Sequence, residues 1–131
     1  MALYTADTHA LAWYWSGSER LSLLAREILD GAMGSLHEVI VSPLVLAELV
    51  IIAEKQRVVF DLSAAIIMLQ NAPGFRLVDL SARTALLTQQ LDMLPDIHDR
   101  LIVATALEHG ATLLTADEAI IVAGIVPVAW E

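Results

Sequence analysis

Glu38-Val39-Ile40-Val41-Ser42-Pro43-Leu44-Val45-Leu46-Ala47-Glu48 holds a strand, a helix signal and a misplaced acid in one short run. Val39-Ile40-Val41 reads as a β-strand. Ser42-Pro43 is a helix cap followed by proline at the first helical position, a combination that starts helices well. The helix it opens runs from Pro43 to about Lys55. Glu48 then falls in its apolar stripe, one turn from Leu44, Val45, Ile51 and Ile52.

The same strand-then-helix grammar extends in both directions. Towards the N-terminus, Leu3 to Ala6 is a short apolar strand that ends at Asp7, and Thr8 to Trp15 turns helical. Ser16-Gly17-Ser18 breaks the chain. Ser18 can cap a helix to about Ala32, with Leu21, Leu24, Ala25 and Ile28 on one face and Gly31 and Gly34 at its end. Towards the C-terminus, a helix from about Asp61 to Gln70 precedes the Pro73-Gly74 turn and a strand from Phe75 to Asp79. Ser81 caps a helix to about Leu91, Pro95 marks a break, and a helix follows from about Asp99 to His109, closed by Gly110. Ala111 to Leu114 is a further strand, Glu118 to Ala123 a short helix, and Val126 to Trp130 a last strand. Alternation of this kind predicts an α/β protein, a three-layer α/β/α fold with a mostly parallel central sheet. Its 131 residues suit a single domain over 1–131.

Composition limits the function classes. There is no cysteine, hence no disulfide, no thiolate zinc site and no cysteine nucleophile, which fits a cytoplasmic protein. The opening Met1-Ala2-Leu3-Tyr4-Thr5-Ala6-Asp7 lacks the positive start of a signal peptide and meets a charge early. Mean hydropathy is +0.66, yet the longest nearly uncharged run, Ala119 to Trp130, is too short for a membrane span. The expectation is a soluble protein with apolar surface left for a partner. A formal charge of −9 argues against a general nucleic-acid binder but suits an acidic metal pocket. The basic residues Arg20, Arg26, Lys55, Arg57, Arg76, Arg83 and Arg100 are scattered.

Four acids stand where apolar surface should be buried. Asp7 and Asp117 follow strands, at the carboxyl ends where open α/β sheets bind ligands. Each could also serve as a helix cap. Glu48 lies in the apolar stripe described above, and unpaired carboxylates are seldom left in such places. Asp99 opens the helix Asp99-Arg100-Leu101-Ile102-Val103-Ala104-Thr105-Ala106, which has almost no polar face and so should be buried on most sides. Asp96, three residues earlier, is a neighbouring acid of the same site or a loop residue. Thr115 can offer its hydroxyl to Asp117 or to a metal-bound water. Arg100 is the nearest phosphate contact, or else a partner for an adjacent acid. Oxygen ligands of this kind favour Mg²⁺ or Mn²⁺ over zinc. The histidines His9, His37, His98 and His109 show no metal-ligand spacing and read as surface or junction residues, and Trp13-Tyr14-Trp15 reads as packing. No phosphate-binding glycine loop and no nucleophile elbow occurs.

Several blocks together resemble the PIN-domain family, most closely VapC-type toxins. They are Ala6-Asp7-Thr8-His9-Ala10-Leu11-Ala12-Trp13, Ser42-Pro43-Leu44-Val45-Leu46-Ala47-Glu48, Leu94-Pro95-Asp96-Ile97-His98-Asp99-Arg100-Leu101-Ile102-Val103-Ala104-Thr105-Ala106 and Leu114-Thr115-Ala116-Asp117. Many relatives carry Asp-Pro-x-Asp-Arg where this chain has Asp96-Ile97-His98-Asp99-Arg100. The resemblance implies a metal-dependent ribonuclease with Asp7, Glu48, Asp99 and Asp117 as the catalytic, metal-holding quartet. It also implies an RNA substrate, a homodimer and a small VapB-like antitoxin that enters the cleft. Two alternatives remain at this point. One is a catalytically silent PIN-like interaction module, which four intact acids disfavour. The other is a Mg²⁺-dependent phosphatase or phosphoacceptor domain, which needs a lysine near the phosphate, and the chain's one lysine is Lys55.

Overall fold

The computed structural model describes residues 2–131, so Met1 of the expected 1–131 domain and of the leader reading lies outside them. Strand β1 (Leu3–Ala6) leads through Asp7 into α1 (Thr8–Ser16), and α2 (Leu23–Met33) returns to β2 (Glu38–Val41). Helices α3 (Pro43–Lys55) and α4 (Leu62–Asn71) precede β3 (Phe75–Leu77). Helix α5 (Ala82–Leu87) runs into a 3-10 turn (Thr88–Gln90), then come α6 (Ile97–His109), β4 (Thr112–Leu114) and α7 (Glu118–Ala123).

The four strands of the described residues form one parallel sheet in the order β3-β2-β1-β4. Helices flank the sheet, as alternation requires, because parallel neighbours can be joined only by crossovers. Burial shows why β2 is so uniformly apolar: Val39, Ile40 and Val41 are all fully buried, as expected for a strand covered on both faces. Val39 and Val41 join the large core with Leu11, Leu29, Leu49, Val103 and Leu114. Ile40 points to the opposite face and meets Val78, Ala111 and Leu3. Tyr4, Thr5 and Ala6 pair with Thr112, Leu113 and Leu114, so the central β1 depends on residues far along the chain.

Several boundaries differ from the sequence reading for physical reasons. Helix α2 is capped by Ser22, whose side chain accepts from the Ala25 amide, and not by Ser18. Ser18 instead accepts from the Arg20 amide in the preceding turn, and Leu21 is already buried ahead of the helix. Helix α6 begins at Ile97 with Asp96 as its cap, so Asp99 lies within its first turn. The helix expected to reach Leu91 tightens to 3-10 after Leu87. The last strand reduces to one parallel bridge, Leu113 to Val128; Pro127 accepts from the Leu113 amide but has no amide hydrogen of its own to extend the ladder. Gly110 closes α6 in the left-handed conformation, φ +64°. Gly74 serves another need, since a Cβ there would lie 2.1 Å from the Ala32 carbonyl oxygen.

Candidate active site

Asp7, Glu48, Asp96, Asp99 and Asp117 all line one cavity of about 440 Å³. The topology accounts for the gathering. Strands β1 and β4 are adjacent and parallel, so their carboxyl ends, and the acids that follow them, lie side by side. The Asp7 amide donates to the Leu114 carbonyl at 3.1 Å, which ties the two ends together. Helices α3 and α6 pack against each other and bring Glu48 and Asp99 to the same opening.

Asp7 is both a cap and a cavity wall. Its Oδ1 accepts from the Ala10 amide at 2.9 Å, and its Oδ2 accepts from the Thr115 hydroxyl. Thr115, wholly buried, also accepts from the Asp117 amide at 3.0 Å. Its hydrogen therefore goes to Asp7, whereas the sequence pointed it to Asp117 or to water. Asp117 in turn caps α7, accepting from the Ala119 amide at 2.9 Å and the Ile120 amide at 3.3 Å. Asp96 accepts from the His98 amide at 2.7 Å, and it stands in the cavity wall as well as at the cap. Arg100 faces elsewhere: its Nε donates to the Leu94 carbonyl.

Glu48 is gripped from two sides. Its Oε1 accepts from the buried Thr8 hydroxyl at 2.6 Å, and its Oε2 lies 3.3 Å from His98 Nδ1. Thr8, His98, His9 and Arg57 all line the cavity; the sequence reads the two histidines as surface or junction residues and assigns no site role to Thr8 or Arg57. Adjacency to Asp7 and Asp99 was the available signal for Thr8 and His98. No spacing rule links position 48 to either. Ile51, Ile52 and Ile102 supply an apolar side to the opening.

Electrostatics record the crowding. Burial pushes the Asp7 carboxyl up from its ordinary value, against the hydrogen bonds from Thr115 and Ala10 and the nearby His9, with Asp117 adding to the rise. Asp99 is raised to about 6, first by burial and then by the charges of Asp117, Asp96, Glu48 and Asp7. Carboxylates that lift one another's pKa in this way call for a cation. Among the described residues, no three His, Asp or Glu side chains are close enough to cage an ion as they stand. A hard cation that keeps most of its waters needs no closed cage. Mg²⁺ commonly takes only one or two carboxylates directly, and an acid-lined cavity of this size has room for it with its water shell. The donor set therefore fits a hydrated divalent ion. Lys55 lies outside the cavity, so a phosphoacceptor site of the lysine-assisted kind has no lysine here.

Comparison with known proteins shows the family and the fold. Residues 4–125 match the PIN domain family. The chain is 31% identical over 119 residues to Ribonuclease VapC22 of Mycobacterium tuberculosis, across 89% of this chain and 88% of that protein. Its fold is similar to that in the crystal structure of VapBC2 from Rickettsia felis bound to a DNA fragment from their promoter. There the TM-score is 0.71 at 17% identity, over 98% of this chain and 99% of that one. It is also similar to Mycobacterium tuberculosis VapC20, described as a sarcin-ricin loop cleaving toxin. The TM-score is 0.68 at 18% identity, over 97% and 98% of the two chains.

Proposed function

Since the chain belongs to the PIN-domain family and is a VapC-like toxin ribonuclease, we propose that it hydrolyses RNA with Mg²⁺ or Mn²⁺ held by Asp7, Glu48, Asp99 and Asp117. The observation that carries the assignment is the bonded chain from Asp7 through the Thr115 hydroxyl to the Asp117 amide, at the ends of adjacent strands and facing Asp99 and Glu48.

When bound, the ion supplies a water of lowered pKa and positive charge against the phosphorane-like transition state. The chain's own groups set the geometry. Thr115 and the Ala10 amide hold both oxygens of Asp7, so the carboxylate cannot rotate away from the cavity. The α7 amides fix one oxygen of Asp117 and leave the other for the cavity side. Thr8 and His98 do the same service for Glu48, which would hold an ion or orient a water on that side of the cavity. Ile51, Ile52 and Ile102 lower the local dielectric and strengthen each polar contact. The reaction adds water across one P–O ester bond of RNA.

The proposal extends to a single domain over 1–131, a homodimer, a cytoplasmic location and a small VapB-like antitoxin that enters the acidic cleft. Solved relatives of the same fold include a toxin-antitoxin complex from Klebsiella pneumoniae and VapBC-1 from nontypeable Haemophilus influenzae. No helix among the described residues is long and apolar enough to cross a membrane.

The test is cleavage of total RNA by purified protein with Mn²⁺ or Mg²⁺, beside EDTA and the Asp7→Asn variant. Metal-dependent cutting that disappears in the variant is the expected result. A folded protein that neither cuts RNA nor binds either ion would instead favour a silent interaction module.

A further inference from the structure

The chain has seven lysine and arginine side chains against sixteen acids, so a cation beside an acidic cleft should be captured by a carboxylate. Arg76 is captured, pairing with Glu38 at 2.7 Å. Arg26 and Arg100 donate to the Ser18 and Leu94 carbonyls. Arg20 and Arg57 are both exposed, and neither forms an ion pair among the described residues. Both nevertheless border the acidic cleft or the hollows next to it.

Those hollows share wall residues with the cleft. A second cavity of about 250 Å³ is lined by Asp7, His9, Trp13, Arg20, Ala116 and Asp117. It shares Asp7, His9 and Asp117 with the acidic cavity. A third, about 440 Å³, shares Trp13 and Arg20 with the second and Arg57 with the first, and adds Ser16, Ser18, Val58 and Val59. His9, Trp13 and Ser16 recur at i, i+4 and i+7 and so share one face of α1. The His9 and Trp13 ring centroids lie 5.6 Å apart, and the Arg20 guanidinium sits 5.7 Å from the Trp13 ring centroid. Val59, 80% exposed, gives the same groove an uncovered apolar edge.

We infer that this groove, given the nuclease reading above, seats single-stranded RNA next to the scissile phosphate, with Arg20 and Arg57 on backbone phosphates and the His9–Trp13 face against a base. Aromatic faces with flanking arginines are what unpaired bases and their phosphates require. A double helix would need a longer basic surface, which a chain of charge −9 does not provide. Two phosphate contacts in so acidic a protein make a local, salt-sensitive grip. The grip places the strand without competing with the cation for the acids.

The test is fluorescence polarisation with a labelled random-sequence RNA pool of about 12 nucleotides. The protein is Asp7→Asn in magnesium, alone or combined with Arg20→Ala, Arg57→Ala or Arg83→Ala. Arg83 is exposed on α5 and lines none of these cavities. Arg20→Ala and Arg57→Ala should each weaken binding about fivefold at low salt and reduce the salt slope by about 0.7, one single-strand phosphate contact apiece. Arg83→Ala should bind as the Asp7→Asn parent does. Cleavage of total RNA by wild-type protein judges the nuclease reading separately. If the wild type cuts while the Arg20 and Arg57 variants bind like the parent, the groove assignment is overturned and the nuclease stands. Equal weakening by Arg83→Ala overturns it as well, because the effect is then bulk charge. A parent that binds no RNA overturns it whatever the cleavage result.

Discussion

Removing a charge from the cleft should make the metal-free protein more stable while disabling it. Asp99 is the residue to change, because its carboxyl is lifted from an ordinary 3.8 to about 6 by burial and by four neighbouring acids. A carboxyl raised on folding favours the folded state below its unfolded pKa and loses that contribution as pH climbs through the folded value. Wild-type protein in EDTA therefore carries a penalty that develops between about pH 4 and about pH 6 and is complete above. At about 1.4 kcal/mol per pH unit the interval corresponds to about 3 kcal/mol. Asp99 is only half-buried, and solvent screening reduces this to about 1–2 kcal/mol. Asp99→Asn should recover that amount, a rise of about 3–8 °C in melting temperature for a chain of this size. The assay is thermal unfolding in EDTA at about pH 7.5 and again at about pH 4, where the gain should vanish. Millimolar Mn²⁺ should then raise the wild-type melting temperature and leave the variant little changed. An Asp99→Asn protein no more stable than wild type at the higher pH refutes the crowding account. So does a gain that persists unchanged at the lower pH.

Three further outcomes follow from contacts described above. Thr8→Val keeps the side-chain shape but removes the donor 2.6 Å from Glu48; Mn²⁺ affinity measured by calorimetry should fall about tenfold, with Thr8→Ser restoring most of it. Equal losses in Val and Ser would assign Thr8 to packing alone. Gly74→Ala drives a methyl into the Ala32 and His37 carbonyl oxygens, and urea unfolding should show a loss of about 2–4 kcal/mol. An unchanged midpoint would mean that the two backbones part at no cost. Mn²⁺ binding should strengthen as pH rises from about 5 to about 7, because Asp99, raised to about 6, must shed its proton to receive the ion, and flat affinity over that range would contradict its raised pKa.

How far the sequence could be read depends on how local each signal is. Val39-Ile40-Val41 followed by Ser42-Pro43 is a complete strand-to-helix signal, and β2 and α3 appear where it places them. Even there Ser42 caps without a side-chain hydrogen bond, and Pro43 carries the start. Asp7 and Asp117 were visible because each ends a short apolar strand, and parallel neighbours must bring such ends together. Glu48 stood out against the leucines and valines around it. What could not be read was pairing at a distance. Thr8 meets Glu48 across 40 positions and Thr115 meets Asp7 across 108, and only the strand order fixes either. Choices between equivalent residues were also hidden. Ser18 and Ser22 are both good caps, and the burial of Leu21 between them decides in favour of the second. Arg100 sat beside Asp99 in sequence, but helical geometry sends its guanidinium back to Leu94.

The position of β1 in the sheet has a consequence for the order in which the molecule comes into being. β1 is made before the other three strands and lies between β2 and β4, so one of its flanks has no partner until residues 112–114 have been made. Asp7 and Glu48 have their near partners, the Ala10 amide and the Thr8 hydroxyl, early in the chain. The hydroxyl that locks Asp7 arrives with Thr115, and Asp117 comes two residues later. Contacts of such long sequence separation form late and slowly. On the proposed assignment, a growing chain consequently lacks a complete site while it is still held beside ribosomal and messenger RNA. That site is completed only once β4 lies against β1 and brings Thr115 and Asp117 to Asp7.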